Sequence, residues 1–263
     1  MASTRPQFPQ LEDLMVKTAA DTVDRADIDR FERVAAEWWD PSGPFKPLHR
    51  MNPLRVGFIR DRVAAHFGRD PLGRKPLDGL RLVDVGCGGG LLTEPMARLG
   101  ADASGIDAGA EAVEVARSHA EAAGLAIDYR RLTVEELAAS GARFDVVLAL
   151  EIVEHVADVP TFLEALSAIL EPGGAIVMST LSRTPKSFAL AVVGAEYLLR
   201  WVPRGTHNWR QFLRPSELAA GLRDGGVDVT TVQGMVLDPL RGVWSLSDRD
   251  LDVNYILFGR KPA

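Results

Sequence analysis

Apolar runs and helix-spaced segments alternate along the chain from residue 80 to residue 259. Leu80–Val85 reads as a strand and Leu91–Leu99 as a helix. Ala101–Asp107 is a second strand, and Glu111–Ala123 a helix closed by Gly124. Ala126–Arg131 and Phe144–Leu150 are strands on either side of a short helix, Val134–Ala139. Val146 to Leu150 runs apolar without alternation, the pattern of a strand covered on both faces. Pro160–Leu170 follows as a helix, Glu171–Gly174 as a turn and Ala175–Ser179 as a strand. Pro215–Leu222 is a further helix, and Val227–Val236 with Val253–Gly259 predicts a closing antiparallel pair. The repeated βα pattern predicts an α/β fold with a doubly wound, mostly parallel sheet of seven strands.

The remainder divides around that core. Residues 1–25 read as a loose tail, 26–79 as a helical extension and 80–263 as the α/β domain. Within the extension, Asp27–Trp39 has helical spacing in Phe31, Val34, Ala35 and Trp38. Asn52-Pro53 predicts an N-cap and first helical residue, opening a helix through about Phe67. Residues 183–214 form an insertion whose stretch 187–202 is strongly apolar. Phe188, Val192, Ala195, Leu199 and Val202 share one helical face, and Lys186, Arg200, Arg204 and Arg210 surround it with positive charge. Such a helix lies in a membrane interface, caps an apolar pocket, or simply packs on the core.

Candidate chemistry begins at Asp84-Val85-Gly86-Cys87-Gly88-Gly89-Gly90, between the first strand and the first core helix. Glycines there let a ligand approach the backbone, and Asp107, about 20 residues on, is placed to accept hydrogen bonds from ribose hydroxyls. The dinucleotide pattern asks for glycine at the sixth position, where this chain has Leu91. Glu94 in the first turn of the following helix is a poor neighbour for a pyrophosphate. An adenosyl ligand without phosphate, S-adenosylmethionine, fits better, with Asp84 drawing its positive groups. Thr133 and Val134 are candidate adenine contacts, and Leu150 should lie against the bound ligand. Arg55 offers a fork for the ligand's carboxylate, or is a surface helix charge.

Glu151-Ile152-Val153-Glu154-His155 follows the fourth strand, at the sheet edge where such folds place their chemistry. Glu151, Glu154 and His155 suit a divalent cation. Alternatively His155 acts alone as general base, or Glu154 caps a helix and His155 orders the loop. Cys87 reads as a small residue fitting a tight turn. His49 is a candidate to close the pocket and His207 to reach substrate from the insertion, with loop roles as the alternative for both, and His66 and His119 read as surface residues.

Composition narrows the classes. At 263 residues and 46% hydrophobic content the chain can bury a sizeable core. A net charge of −6 argues against a general nucleic-acid binder. One cysteine fits a reducing compartment, and Met1–Val16 lacks the apolar centre of a signal peptide, so cytoplasmic residence is expected. An NAD-dependent oxidoreductase and a catalytically silent scaffold are the rival classes. The misplaced third glycine counts against the first; Asp107 and the Glu151–His155 cluster count against the second.

These residues together resemble a known family. Phe31-Glu32, Trp38-Trp39-Asp40 and the block Phe45 to Arg55 closely resemble the ubiquinone-biosynthesis O-methyltransferases. The glycine turn, Glu151–His155, Val192–Tyr197, Gly205-Thr206-His207 and Asp252–Tyr255 continue the likeness. The glycine turn is common to most class I methyltransferases, whereas the blocks at 46–55 and 192–207 are far more specific. The resemblance implies a Rossmann-like fold with S-adenosylmethionine contacts at Arg55, Gly86, Asp107 and Leu150; Gly88 belongs to the same turn. It implies a divalent metal, expected to be magnesium, held by Glu151, Glu154 and His155. It also implies polyprenyl catechol and demethylubiquinol acceptors, both O-methylation steps of ubiquinone synthesis, and partners in a ubiquinone-biosynthesis complex. With the apolar stretch 187–202 it points to peripheral attachment at the inner face of a bacterial cytoplasmic membrane. A different phenolic or lipid acceptor is the alternative.

Overall fold

The computed structural model describes residues 22–190 and 208–263. Five strands run parallel: β1 (Arg81–Val85), β2 (Asp102–Asp107), β3 (Asp128–Arg131), β4 (Phe144–Leu150) and β5 (Leu170–Leu181). Three more, β6 (Asp228–Asp238), β7 (Val243–Ser247) and β8 (Asn254–Arg260), extend the sheet antiparallel. The order is β3-β2-β1-β4-β5-β8-β6-β7.

The sheet therefore has eight strands, where the sequence pattern predicts seven. The additional strand, β7, is a short edge strand joined to β6 by a hairpin. Its Val243 is exposed while Trp244 and Leu246 are half-buried, so it lacks the dense apolar run of the central strands. Expectation and structure coincide at β4. Val146, Leu148 and Leu150 pack on one face, Val147 and Ala149 on the other, which is why no alternation is visible. The turn expected at Glu171–Gly174 lies inside β5. Phe144 pairs with Leu170 and Val146 with Ala175, so those residues bulge out opposite Asp145.

Helices cover both faces. On one side α2 (Lys46–His66) brings Phe58, Ile59 and Val63, and α3 (Thr93–Arg98) brings Met96, onto Leu82, Val146, Leu148 and Ile256. On the other, α5 (Val134–Ala139), α6 (Val159–Ala168) and α8 (Pro215–Asp224) bury Leu137, Leu166, Leu218 and Leu222 against Val147, Ile176 and Met178. Beside β2 and β3, α4 (Ala110–Ala122) buries Val113 and Ala116 with Tyr129. After β5 comes the single turn α7 (Pro185–Ser187).

The N-terminal region departs from expectation in three places. The helix expected at Asn52 begins at Lys46 and carries Pro53 inside it. An internal proline removes one hydrogen-bond donor and crowds the preceding turn; the buried Met51, Phe58 and Ile59 hold the helix through it. The helix expected over 27–39 is split into α1 (Arg25–Glu32) and a 3₁₀ turn at Ala35–Glu37. Residues 22–24, assigned by pattern to a loose tail, are built into the domain: Val23 pairs with Val156, and the Thr22 carbonyl accepts the Ala157 N–H at 2.7 Å.

Most of the apolar segment 187–202, and His207, lie outside the described residues. At its described start, Phe188 and Leu190 are exposed. No helix among the described residues is long and apolar enough to cross a membrane.

Candidate active site

A cavity of about 630 Å³ opens at the C-terminal ends of β1, β2 and β4, within the range of small-molecule sites. It lies at the switch point of the sheet, where the strand order runs outward from β1 in one direction and from β4 in the other. Arg55, Asp84, Gly86, Gly88, Asp107, Thr133, Val134, Leu150, Glu151, Glu154 and His155 all line it. Residues spread over a hundred positions of sequence are thus brought to one chamber.

The glycine turn forms its floor. Gly88 has φ 51°, and a Cβ there would run into the ring of Trp38, which stacks on Phe45 at 3.7 Å. The N-terminal extension therefore closes directly over the turn. Trp39 donates its indole N–H to the Gly89 carbonyl at 2.9 Å, and Asn52 donates to Leu91 O at 2.7 Å. Asp107 accepts the Gly88 N–H at 2.9 Å and the Gly109 N–H at 2.8 Å, one on each carboxylate oxygen. The sequence reading gave this carboxylate to ribose; in the structure it also ties two loops together, and each oxygen keeps a further lone pair for a ligand.

The acidic cluster is built on strain. Glu151 has φ 54°, the one positive φ at a non-glycine among the described residues. Such conformations persist where the surroundings enforce them and concentrate at functional sites. Here the enforcement comes from β5: Glu151 N–H donates to Ser179 O at 2.9 Å, and its Oε1 accepts the Ser179 hydroxyl at 2.6 Å. Glu154 is buried and accepts the Thr180 hydroxyl at 2.8 Å. His155 donates from Nδ1 to Asp27 of α1 at 3.0 Å, with Phe31 edge-on to its ring.

Burial raises the Glu154 pKa, and the Glu151 charge beside it adds to the effect. Burial alone would lower that of His155. The hydrogen bond to Asp27 and the charges of Glu154 and Glu151 outweigh it, holding the imidazolium above its ordinary range. Among the described residues no three carboxylate, thiol or imidazole groups are placed to share one metal ion. Glu151, Glu154 and His155 are neighbours, but a hydroxyl or carboxylate partner already claims each.

The polar atoms left over, two donors and two acceptors, suit a polar ligand. Arg55 Nε, Asn52 Oδ1, Glu135 Oε2 and Trp38 Nε1 are buried without a hydrogen-bond partner, and all four residues line this cavity. Buried polar groups left so are rare and costly. Burial lowers the Arg55 pKa, and the charges of Glu151 and Asp84 oppose that.

Asp84 is electrostatically stressed. Burial pushes its pKa up to about 7, against the Thr93 hydroxyl bond at 2.7 Å and the Arg55 charge. The folded form then binds a proton that the unfolded chain releases, so stability contributed by this group is present at low pH and lost as pH rises toward 7. Asp84→Asn should raise the stability of the ligand-free protein at pH 8 by roughly 2–4 kcal/mol, with little effect at pH 4. Denaturant titration at the two pH values checks this; equal effects at both would contradict it.

Several histidines differ from expectation. His119, read as a surface residue, donates to buried Glu94 at 2.5 Å, and Trp39 stacks on it at 3.4 Å. His66 holds Gly173 O at 2.8 Å rather than facing solvent. His49 donates to Trp38 O at 2.8 Å and does not line the cavity, so the loop role is the one observed. Cys87 is buried, and burial drives its thiol pKa up, which removes nucleophilic character. Thr133 caps α5 by accepting the Glu136 N–H at 3.3 Å.

Three contributors escaped sequence reasoning: Asp27, Trp38 as the cover of the glycine turn, and Glu135. Glu135 lines the cavity while its other oxygen accepts the Thr22 hydroxyl at 2.6 Å. Its place directly after the Thr133-Val134 pair was the available signal.

Comparison with known proteins assigns the family. A methyltransferase domain family matches residues 83–178. A ubiquinone biosynthesis O-methyltransferase of Cereibacter sphaeroides is 55% identical, covering 93% of this chain and 99% of that protein. One from Azorhizobium caulinodans is 54% identical, covering 95% and 98%. Among solved structures, magnesium protoporphyrin IX methyltransferase from Synechocystis with bound SAH superposes with a TM-score of 0.59, at 21% identity, covering 90% of this chain and 95% of that one. The last shows the shared fold; the two relatives, alike over nearly their whole length, show that this chain belongs to the ubiquinone biosynthesis O-methyltransferase family.

Proposed function

We propose that this protein transfers a methyl group from S-adenosylmethionine to a ring hydroxyl of a polyprenyl catechol and of demethylubiquinol, serving both O-methylation steps of ubiquinone synthesis. The observation that carries the reading is the single cavity in which Asp107, Arg55 and Asp84 converge with Glu151, Glu154 and His155. The donor supplies a sulfonium methyl already activated for in-line displacement by oxygen.

The chain's own groups supply position and a proton acceptor. Asp107 offers its remaining lone pairs to ribose hydroxyls, and the glycine turn admits the ligand against the backbone. Val134 and Leu150 flank adenine, and the free oxygen of Glu135 accepts from its amine. Arg55 takes the donor carboxylate with its partnerless nitrogen, and Asp84 faces the ammonium and sulfonium charges. Binding two positive groups beside Asp84 restores its ionised form. In its neutral form His155, held at Nδ1 by Asp27, keeps Nε2 to accept the proton of the attacking phenol. Alignment accounts for much of the acceleration.

A divalent cation is the second catalytic reading. The adjacency of Glu151 to buried Glu154, whose pKa the Glu151 charge helps to raise, favours it. The side chains as placed do not form a ligand set, so no step is drawn through a metal. Exhaustive chelation distinguishes the two. The His155 reading expects turnover to survive chelation; loss restored by magnesium would replace it with the metal reading.

Peripheral membrane association through residues 187–202 completes the proposal, because a prenylated acceptor resides in the bilayer. Leu198→Glu with Leu199→Glu should abolish liposome co-sedimentation and leave S-adenosylhomocysteine binding intact. Unchanged co-sedimentation would remove the membrane role. The central test is transfer of a radiolabelled methyl from S-adenosylmethionine to prenylated catechols. Label on the ring oxygen is expected; its absence with a protein that still binds S-adenosylhomocysteine would sink the reading.

A further inference from the structure

The cavity does not end at the catalytic edge. It continues along the antiparallel extension of the sheet, where Met235, Leu237, Pro239 and Trp244 line it together with Leu190. None of these residues belongs to the motifs that identify the fold. Their arrangement follows from the register of the β6–β7 hairpin. Leu237 pairs with Trp244 and Met235 with Leu246, so these side chains share one face. That face continues the layer containing Met51 of α2 and Leu150 of β4, which line the same cavity beside the glycine turn and the acidic cluster.

Beyond this wall the hairpin leads outward. From Met235 to Asp238 the strand rises about 10 Å, and Pro239 follows in the turn. One residue further, Leu240 is 96% exposed, and Val243 across the turn is 57% exposed. Leu190, which lines the same chamber, is also exposed. An apolar path therefore runs from the catalytic edge to an apolar tip in solvent. The charged pair beside it, Lys186 and Asp250, is closed on itself at 2.7 Å and offers little charge to a ligand. The opening loop is fixed tightly: a Cβ on Gly234 would collide with the Asp250 carbonyl, so the loop before β8 crosses directly over β6.

We propose that the β6–β7 hairpin is the binding wall for the isoprenoid tail of the acceptor, with Leu237 and Trp244 gripping the chain and the Leu240 tip marking its exit. The inference rests on the reading of the acceptor as a prenylated catechol. It assigns the tail chiefly to the hairpin, with Leu190 alone coming from the described start of the apolar insertion. Continuity favours this occupant: a ring placed at His155 can extend an attached hydrocarbon along a wall that begins in the same chamber. Tail burial there contributes roughly in proportion to the apolar area removed from water.

Two measurements test it. The first compares kcat/KM for a prenylated catechol and the same ring without a tail, in the unchanged protein and in Leu237→Gln. The preference for the prenylated acceptor should fall at least about tenfold, through KM rather than kcat; a preference equal to that of the unchanged protein would overturn the assignment. The second uses the unchanged full chain and a catechol whose terminal isoprene carries a photoactivatable diazirine. Labelling within residues 235–244 is expected, and labelling confined to other segments overturns the proposal. If the unchanged protein methylates neither acceptor, the proposed reaction has failed, whereas the position of the photolabel still decides where the tail binds.

Discussion

Asp107→Ala will weaken S-adenosylhomocysteine binding by at least about a hundredfold in calorimetry. The carboxylate accepts from Gly88 N–H and Gly109 N–H, so its removal strips two loops of their common anchor. Hydrogen bonds to a charged partner contribute about 1.5–3 kcal/mol each, and leaving buried donors unsatisfied adds to the loss. The ribose contacts proposed for the same oxygens disappear with them. About 2.7 kcal/mol already corresponds to a hundredfold. Asp107→Asn keeps one acceptor oxygen and should fall between the two. An alanine variant that binds within tenfold of the unchanged protein would show that the turn, not the carboxylate, determines affinity.

Glu151→Asn separates stability from turnover. A left-handed conformation costs an ordinary residue about 1–2 kcal/mol, and asparagine tolerates it better than glutamate. The variant should melt at the same temperature or a few degrees higher. Methyl transfer should fall by at least about tenfold, because one of the charges that hold the His155 pKa up is gone. Preserved turnover would make Glu151 a structural corner only. A clear drop in melting temperature would mean that its bond to the Ser179 hydroxyl outweighs the strain at φ 54°.

What could be read from the chain follows the range over which each interaction acts. The glycine turn, the carboxylate ending β2 and the unbroken apolar run of β4 are local patterns, and they were legible as such. β4 and α5 begin and end where the pattern places them. β7 was not legible, because a half-exposed edge strand needs its neighbour before its spacing means anything. The Asp27–His155 bond joins positions 128 residues apart, and nothing near either residue announces the other. Trp38 over Gly88 and Trp39 on His119 are of the same kind. Pattern gathered the residues of the candidate site; only three-dimensional packing revealed which neighbours orient them, and among the described residues it converges no ligand set on a metal.

The contact between Thr22 and Glu135 spans 113 residues. During synthesis the segment carrying Thr22 leaves the ribosome early and waits for α5, and then for the Val156–Ala157 stretch, before it can dock. One wall of the chamber is therefore finished late, by a segment synthesised well before the rest of it. A gene product shortened before residue 30 would keep every motif a scan reads at 83–178, yet lack the clasp that holds His155 and seals that wall.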